Sequence, residues 1–146
     1  MAQQASTLTA EQAIAKFQTA CKAAFLATIE GDQPRVRPVS PAAVEGNVVW
    51  IATFAASDKV AQLRANPAAE LCYMADTHEH LRLRGHCEFV NDADTKRRLW
   101  EGYPLMQRYF TTPDHPQYVL LKFVATEAMT MPAMAIQYEH LEFKGG

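Results

Sequence analysis

Residues 34–67 decide the fold; they read PRVRPVSPAAVEGNVVWIATFAASDKVAQLRANP. The pattern predicts one strand over Arg35–Val44 and a second over Val48–Phe54, with a tight reversal at Gly46 between them. The second strand is apolar on both faces, which is typical of a strand covered on both sides. This part of the chain is therefore expected to be a β-hairpin.

A helix with an anion-binding pattern at its start follows the hairpin. Ser57 or Asp58 is a good N-cap, and the helix is expected to stop at Asn66-Pro67. Arginine offers a planar fork of donors that fits phosphate, and lysine offers a compact charge. Arg37, Ser57 and Lys59 are therefore predicted to bind a phosphate. The alternative is that Arg37 and Lys59 are solvated surface charges, which a lone arginine or lysine usually is. The Asp58 carboxylate weakens such a site and must point away from a bound anion.

The remaining elements follow from periodicity and capping signals. A capping box at Thr9 and Gln12 starts a predicted helix over residues 10–23. Asp92 can cap a short helix that runs toward Trp100, residues 102–117 are turn-rich, and the tail after Met129 has no assignment. Further strands are predicted at residues 25–30, 71–75, 81–90 and 118–125.

The order of these elements indicates the fold class. Six strands with short hairpins and few helices favour an antiparallel barrel, because a parallel α/β sheet would alternate strands with helices. We expect one domain over residues 1–146, with an N-terminal helix in 1–24, a barrel in 25–129 and a tail in 130–146. Because strands 48–54 and 118–125 are apolar on both faces, a homodimer is expected to cover the second face.

Composition excludes several classes of protein. The chain has 146 residues and a net charge of −2, which offers no electrostatic footprint for nucleic acid. The three cysteines form no CxxC pair, and Cys72 and Cys87 fall on predicted core-facing positions where a thiolate is disfavoured. Neither a signal-peptide pattern nor a run of about 18 apolar residues is present. A cytoplasmic protein without a membrane partner is therefore expected.

Prolines interrupt the strand over Arg35–Val44. Pro34, Pro38 and Pro41 cannot donate to a ladder, so backbone groups are expected to stay unpaired along this strand. Such an edge can hydrogen-bond a flat ring such as a flavin. An irregular edge strand protected against aggregation is the alternative interpretation.

Three segments carry a resemblance to a known family: FLATIEGDQPRVRPVSP, VVWIATFAASDKVAQLRANPAAEL and LRLRGHCEFV. In this order they resemble the pyridoxamine 5′-phosphate oxidase-related family of FMN-binding split barrels. The match runs from Phe25 to Val90, and WEGYPLMQRYFTTPDHPQYVLLKF is similar to the general-stress-protein branch. The resemblance implies a six-stranded Greek-key split barrel that dimerises, with FMN in a groove between the subunits.

The resemblance also assigns residues to the cofactor. It implies that the phosphate is held by Arg37, Ser57 and Lys59, and it places Asp58 where many oxidases have a further basic residue. The flavin ring is implied to lie along Pro38, Val39 and Ser40, beside Thr53 and Phe54 and near His80.

The implied function is that of a flavin-dependent oxidoreductase acting on a small substrate, with NAD(P)H as a candidate reductant. The arginine-rich C-terminal segment of the oxidases is missing, so pyridoxamine phosphate oxidase activity itself is not expected. A non-enzymatic FMN carrier, a stress-related binding protein, or a haem- or deazaflavin-binding split barrel remain open, and His140 is a candidate haem ligand.

Two other groups of residues could carry chemistry. His78-Glu79-His80 places two imidazoles on one face, which could suggest a metal site, but no third ligand follows at a recognisable spacing and no metal is expected. Four aromatic residues could wall a ligand pocket or belong to the core or an interface: Trp100, Tyr103, Tyr109 and Phe110.

Overall fold

The structure is a computed structural model that describes residues 8–145. Within this range the chain forms four helices and eight strands. In chain order these are α1 (Ala10–Ala20), β1 (Ala24–Glu30), β2 (Gln33–Val39), β3 (Ala43–Glu45), β4 (Val48–Phe54), α2 (Asp58–Ala65), β5 (Ala68–Met74), β6 (His80–Val90), α3 (Ala93–Gly102), α4 (Pro104–Tyr109), β7 (Tyr118–Met131) and β8 (Glu139–Leu141).

The strands form one antiparallel sheet that wraps around the larger of two buried clusters. Its order is β2-β1-β5-β6-β7-β4-β3, with β8 paired to β7. Strands from both ends of this order, for example Val39 of β2 and Ile51 of β4, contribute to the same buried cluster. Six of the strands are long, as expected for the split barrel, and β3 and β8 add three residues each.

The predicted strand over Arg35–Val44 is divided in two. β2 pairs with β1 up to Val39, whereas β3 begins at Ala43 and pairs with β4. Ser40, Pro41 and Ala42 separate the two strands, and Pro41 cannot donate to either ladder. The turns on either side contain Gly31 and Gly46, both with positive φ, which glycine adopts without strain.

Helix α1 packs against the core of the barrel. The predicted capping box is confirmed, because Gln12 N donates to Thr9 Oγ1 and Thr9 N donates to Gln12 Oε1. Ile14 and Phe17 lie in the core cluster. The helix ends at Ala20 and not at residue 23, because Cys21 has an extended backbone with φ −112°.

Helices α3 and α4 cover the second face of β4 and β7. Leu99 of α3 and Met106 of α4 pack with Trp50, Phe110 and Leu120 in a second buried cluster. Helix α4 lies in the segment that we expected to be turns; Pro104 occupies its first turn, where no backbone donor is needed. The argument that a partner subunit must cover this face is therefore wrong, since the chain covers it itself.

A different face of the sheet is left exposed. Phe25 of β1, Val36 of β2 and Met74 of β5 are 45%, 68% and 53% exposed. Cys72 pairs with Phe25 and so points outward, which corrects its predicted core-facing position. Cys87 is buried as predicted, and burial raises the pKa of its thiol to about 12.

The last strand is longer than predicted and anchors the tail. β7 continues to Met131, and β8 returns so that His140 pairs with Met129. None of the helices in residues 8–145 has the length and apolar character that a bilayer crossing requires.

Candidate functional site

A hollow of about 330 Å³ opens where β2, β4, α2 and α4 meet. Eight of its nine lining residues, all but Ala52, were predicted to contact FMN or to wall a ligand pocket. The lining, called the hollow below, consists of Pro38, Val39, Ser40, Ala52, Thr53, Phe54, Lys59, Tyr109 and Phe110.

Lys59, Thr53 and Ser57 form a hydrogen-bonded cluster at one end of the hollow. Lys59 Nζ donates to Thr53 Oγ1 at 2.7 Å, and Thr53 Oγ1 lies 3.2 Å from Ser57 Oγ. Ser57 is the N-cap residue of α2, but its side chain makes no capping hydrogen bond. The hydroxyl of Ser57 therefore turns toward Thr53 and Lys59 and away from the backbone of its own helix.

A polar groove adjoins the hollow and shares Lys59 with it. The groove has a volume of about 640 Å³. Its lining, called the cationic groove below, consists of Glu30, Arg35, Val36, Arg37, Asp58, Lys59 and Gln62. Lys59 thus stands between a hollow with aromatic walls and a groove with charged walls.

Arg37 is held at one edge of its guanidinium. Nη1 donates to Leu26 O at 3.2 Å and to Thr28 Oγ1 at 2.8 Å, and Nη2 donates to Gln62 Oε1 at 2.7 Å. An arginine has five N–H donors, and these three bonds use both hydrogens of Nη1 and one of Nη2. The Nε hydrogen and the second hydrogen of Nη2 therefore donate to no residue of 8–145. These two donors form the side edge of the guanidinium, which fits two oxygens of a phosphate.

The two basic residues are close enough to repel each other. Burial lowers the pKa of Lys59, the nearby Arg37 lowers it further, and Asp58 raises it. Burial is also the main cause of the lowered pKa of Arg37. Among residues 8–145, no carboxylate forms an ion pair with either side chain; Asp58 acts on both only at longer range. The site therefore carries positive charge that the described chain does not neutralise.

Aromatic side chains form the outer wall of the hollow. The ring centroids of Phe54 and Phe110 are 5.0 Å apart, and those of Phe54 and Tyr109 are 6.2 Å apart. Phe54 and Tyr109 are 43% and 52% exposed, so both rings are accessible. Phe110 stacks on Tyr118 at 4.9 Å and is anchored in the second cluster. Of the four aromatic residues that the sequence predicted as a ligand wall, Tyr109 and Phe110 line the hollow.

His80 does not lie with the other predicted residues in the described chain. It is the first residue of β6 and pairs with Met131, whereas the hollow lies at the Phe54–Tyr118 end of β4 and β7. Its Nε2 lies 2.8 Å from the hydroxyl of Tyr138 in the tail. Within residues 8–145, no three His, Cys, Asp or Glu side chains are arranged to hold a metal ion.

Sequence reasoning missed Thr28 and Gln62, which hold Arg37. Both are buried and lie on β1 and α2, 34 residues apart. One signal was available: Thr28 occupies a core-facing position of β1, two residues after the buried Leu26. A hydroxyl at such a position needs a polar partner. The partner's identity was not readable from the sequence.

Comparisons with known proteins agree with this fold. Residues 10–131 match the family model described as pyridoxamine 5′-phosphate oxidase. No curated protein matches the sequence.

Several solved structures are similar to the chain. A protein related to general stress protein 26 of Bacillus subtilis, from Clostridium acetobutylicum, has a TM-score of 0.76 at 21% identity, covering 87% of this chain and 89% of that one. A pyridoxamine 5′-phosphate oxidase-related, FMN-binding protein from Nostoc punctiforme has a TM-score of 0.72 at 17% identity, covering 92% and 90%. A heme-binding protein from Mycobacterium smegmatis has a TM-score of 0.78 at 11% identity, covering 96% of this chain and 60% of that one.

At these identities the structural likeness shows the split-barrel fold, and the family match rests on the sequence itself. The matched segment begins at α1 and ends at the last residue of β7, so it contains the hollow and the cationic groove. The chain belongs to the pyridoxamine 5′-phosphate oxidase family.

Proposed function

We propose that this protein binds FMN in the hollow and acts as a flavin-dependent oxidoreductase on a small substrate. The observation that carries the proposal is the convergence of Arg37 and Lys59 on one groove without a carboxylate to pair with either among residues 8–145. Placing two partly buried, mutually repelling cations together is unfavourable unless an anion joins them. A terminal phosphate supplies that anion.

The donors present fit a phosphate monoester. The Nε and Nη2 edge of Arg37 can donate two parallel hydrogen bonds, and Lys59 adds a point charge from α2. Ser57 adds a hydroxyl at the N-terminus of α2, where the helix dipole also favours an anion. Asp58 reduces the positive potential but does not pair with either cation, so the site keeps a net attraction for phosphate.

The hollow fits a planar ring beside that phosphate. Its volume of about 330 Å³ lies within the range of small-molecule pockets, which runs from about 300 to 1,000 Å³. Phe54 and Tyr109 offer apolar faces, while Ser40 and Thr53 add polar groups to the lining. Bound FMN supplies the hydride and electron-transfer chemistry, and the chain binds and orients it.

The absorption spectrum of the purified protein tests the proposal first. FMN, a deazaflavin and haem have different spectra, so the same measurement tests the heme alternative that the Mycobacterium smegmatis neighbour suggests. Haem in proteins is held through His, Cys, Met or Tyr, and among the lining residues of the hollow only Tyr109 belongs to that set. A haem spectrum after purification would contradict the FMN assignment.

A double variant tests the phosphate contacts. Arg37→Ala combined with Lys59→Ala removes two charge-assisted contacts of about 1.5–3 kcal/mol each, which corresponds to about 10²- to 10⁴-fold weaker FMN binding. Arg84→Ala is the control, because Arg84 of β6 lines neither the hollow nor the cationic groove and is paired with Glu127 at 3.6 Å. Loss of this exposed pair is expected to change FMN affinity less than about fivefold. Stoichiometric FMN in the purified double variant would exclude Arg37 and Lys59 as the phosphate ligands.

Turnover separates an oxidoreductase from an FMN carrier. A reductase oxidises NADH or NADPH in the presence of an electron acceptor, whereas a carrier binds FMN without turnover. FMN binding without oxidation of either nucleotide, over a panel of acceptors, would support the carrier or stress-related binding protein.

We also place the protein in the cytoplasm, where its three free cysteines stay reduced.

We also propose that the protein is a homodimer that pairs through the outer face of β1, β2 and β5. Phe25, Val36 and Met74 expose apolar surface there, and Pro38, which pairs with Phe25, lines the hollow. A second copy seated on this face would therefore border the FMN site. Sedimentation of Val36→Glu beside the unmodified protein tests this: the variant is expected to be monomeric, and an unmodified protein that is monomeric at micromolar concentration would contradict the dimer.

A further inference from the structure

Two buried polar side chains lie directly beneath Arg37. Thr28 of β1 is 1% exposed and Gln62 of α2 is 7% exposed. Burying an amide and a hydroxyl is unfavourable unless their hydrogen bonds are made. The hydrogen-bond partners of Thr28 and Gln62 therefore indicate what role these buried side chains have.

Thr28, Gln62 and Arg37 form a closed triangle of hydrogen bonds. Thr28 Oγ1 donates to Gln62 Oε1 at 2.6 Å, and Arg37 Nη2 donates to the same oxygen at 2.7 Å. Arg37 Nη1 donates to Thr28 Oγ1 at 2.8 Å. The end edge of the guanidinium is thus fixed from two secondary-structure elements, whereas its side edge donates to no residue of 8–145, and Arg37 lines the cationic groove.

Both acceptors in this triangle are neutral. A carboxylate at the position of Gln62 would orient Arg37 equally well, but it would also pair with the guanidinium and cancel its charge. An amide oxygen accepts two hydrogen bonds and leaves the charge available for another anion. The neutral acceptors Thr28 and Gln62 therefore suit a site in which Arg37 must be both rigidly held and positively charged.

We propose that Gln62 and Thr28 are positioning residues that hold Arg37 for bidentate phosphate binding without neutralising it. We call the pair the neutral bracket. The inference rests on the proposed function, because it assigns the phosphate of FMN to the free edge of Arg37. It also makes a separate claim about the ligand-free protein, in which the end edge of Arg37 is already immobilised.

The test compares FMN with riboflavin, which lacks the phosphate. Gln62→Glu keeps the shape of the side chain but places a carboxylate against Arg37, so FMN affinity should fall about 10- to 100-fold. The fall should shrink at high salt, and riboflavin affinity should not change. Gln33→Glu is the control, since it adds the same charge on an exposed residue at the start of β2. An FMN affinity equal to that of the unmodified protein, or an equal loss for riboflavin, would overturn the bracket.

Substitutions at Thr28 provide the rescue. Thr28→Val removes the hydroxyl with little change of shape and should weaken FMN binding, whereas Thr28→Ser restores the hydroxyl and should restore most of the affinity. A general loss of packing would not show this order, because serine is smaller than valine. Equal FMN affinities for the two variants would contradict the bracket.

NMR of the ligand-free protein separates this inference from the proposed function. Separate, slowly exchanging Nη signals of Arg37 are expected for the unmodified protein and for Thr28→Ser, and averaged signals are expected for Thr28→Val. If the unmodified protein bound neither FMN nor riboflavin, the proposed function would fail, and the Arg37 signals with a titration of inorganic phosphate would still decide the bracket. Averaged signals in the unmodified protein would overturn it directly.

Discussion

Replacing Lys59 with methionine should weaken FMN binding without weakening the ligand-free fold. The lysine is partly buried beside Arg37, and both burial and that neighbour lower its pKa below the ordinary 10.5. A lowered pKa means that the folded protein disfavours the charged amine. Methionine keeps most of the length of the side chain and removes the charge.

The two effects have opposite signs for one physical reason. With FMN bound, the substitution removes a charge-assisted contact between the amine and the phosphate, worth about 1.5–3 kcal/mol. This loss corresponds to about 10- to 150-fold weaker FMN binding. Without FMN, the substitution removes a charge that the fold disfavours, and Thr53 keeps Ser57 as a hydrogen-bonding partner at 3.2 Å. The free energy of unfolding of the ligand-free variant should equal or exceed that of the unmodified protein at neutral pH.

The stability effect has a defined pH window. The cost of the charged amine is fully present below the lowered pKa of folded Lys59 and vanishes above 10.5, where the unfolded chain is also neutral. Any stability advantage of Lys59→Met is therefore expected to decrease as the pH rises through this interval.

Flavin fluorescence titration and urea unfolding of the ligand-free protein measure the two quantities. Lys16→Met on the exposed side of α1 is the control for a lysine that is not beside the hollow. Unchanged FMN affinity in Lys59→Met would refute the assignment of Lys59 to the phosphate. A large loss of stability in the ligand-free variant would instead show that the amine supports the fold, against the reasoning from its lowered pKa.

Three further predictions concern the same site and its scaffold. FMN affinity should fall as the pH rises through the lowered pKa of Lys59, and Lys59→Arg should remove this fall because arginine stays protonated; titrations at several pH values check it. Tyr109→Ala should weaken the binding of FMN and of riboflavin by the same factor, about 5- to 10-fold, because the proposed contact of this side chain is with the flavin ring and not with the phosphate; unequal factors would contradict that contact. Gly85→Ala should destabilise the protein by about 1–3 kcal/mol, since its Cβ would collide with the backbone carbonyl oxygen of Val124; an unchanged thermal midpoint would contradict the close approach of β6 and β7 there.

Local signals in the sequence were sufficient for most of the elements. The capping box at Thr9 and the strand over residues 81–90 follow from short-range patterns, and both are present in the structure, the strand as β6. Helix α4 was missed because Pro104, Gly102 and the neighbouring polar residues read as turns. Its six residues are held by tertiary packing of Met106 and not by helix propensity.

The expected homodimer shows where sequence reasoning was incomplete. The two-faced apolar pattern of β4 was read correctly, but the sequence does not state which element covers the second face. The structure assigns this role to α3 and α4 and leaves β1, β2 and β5 with the exposed apolar side chains. Burial of apolar area is non-directional, so any nearby apolar element satisfies the same pattern.

The sequence alone determined the family, the antiparallel barrel and the candidate phosphate ligands Arg37, Ser57 and Lys59, because each depends on the order and spacing of residue types. Only the tertiary structure decided that Thr28 and Gln62 hold Arg37, since their hydrogen bonds join residues 34 and 25 apart along the chain. Such contacts depend on how β1, β2 and α2 pack, and no short-range pattern encodes that packing. The side edge of Arg37 is likewise a property of the folded chain. Its two donors are unused among residues 8–145 only because the other three N–H groups bond to Leu26, Thr28 and Gln62.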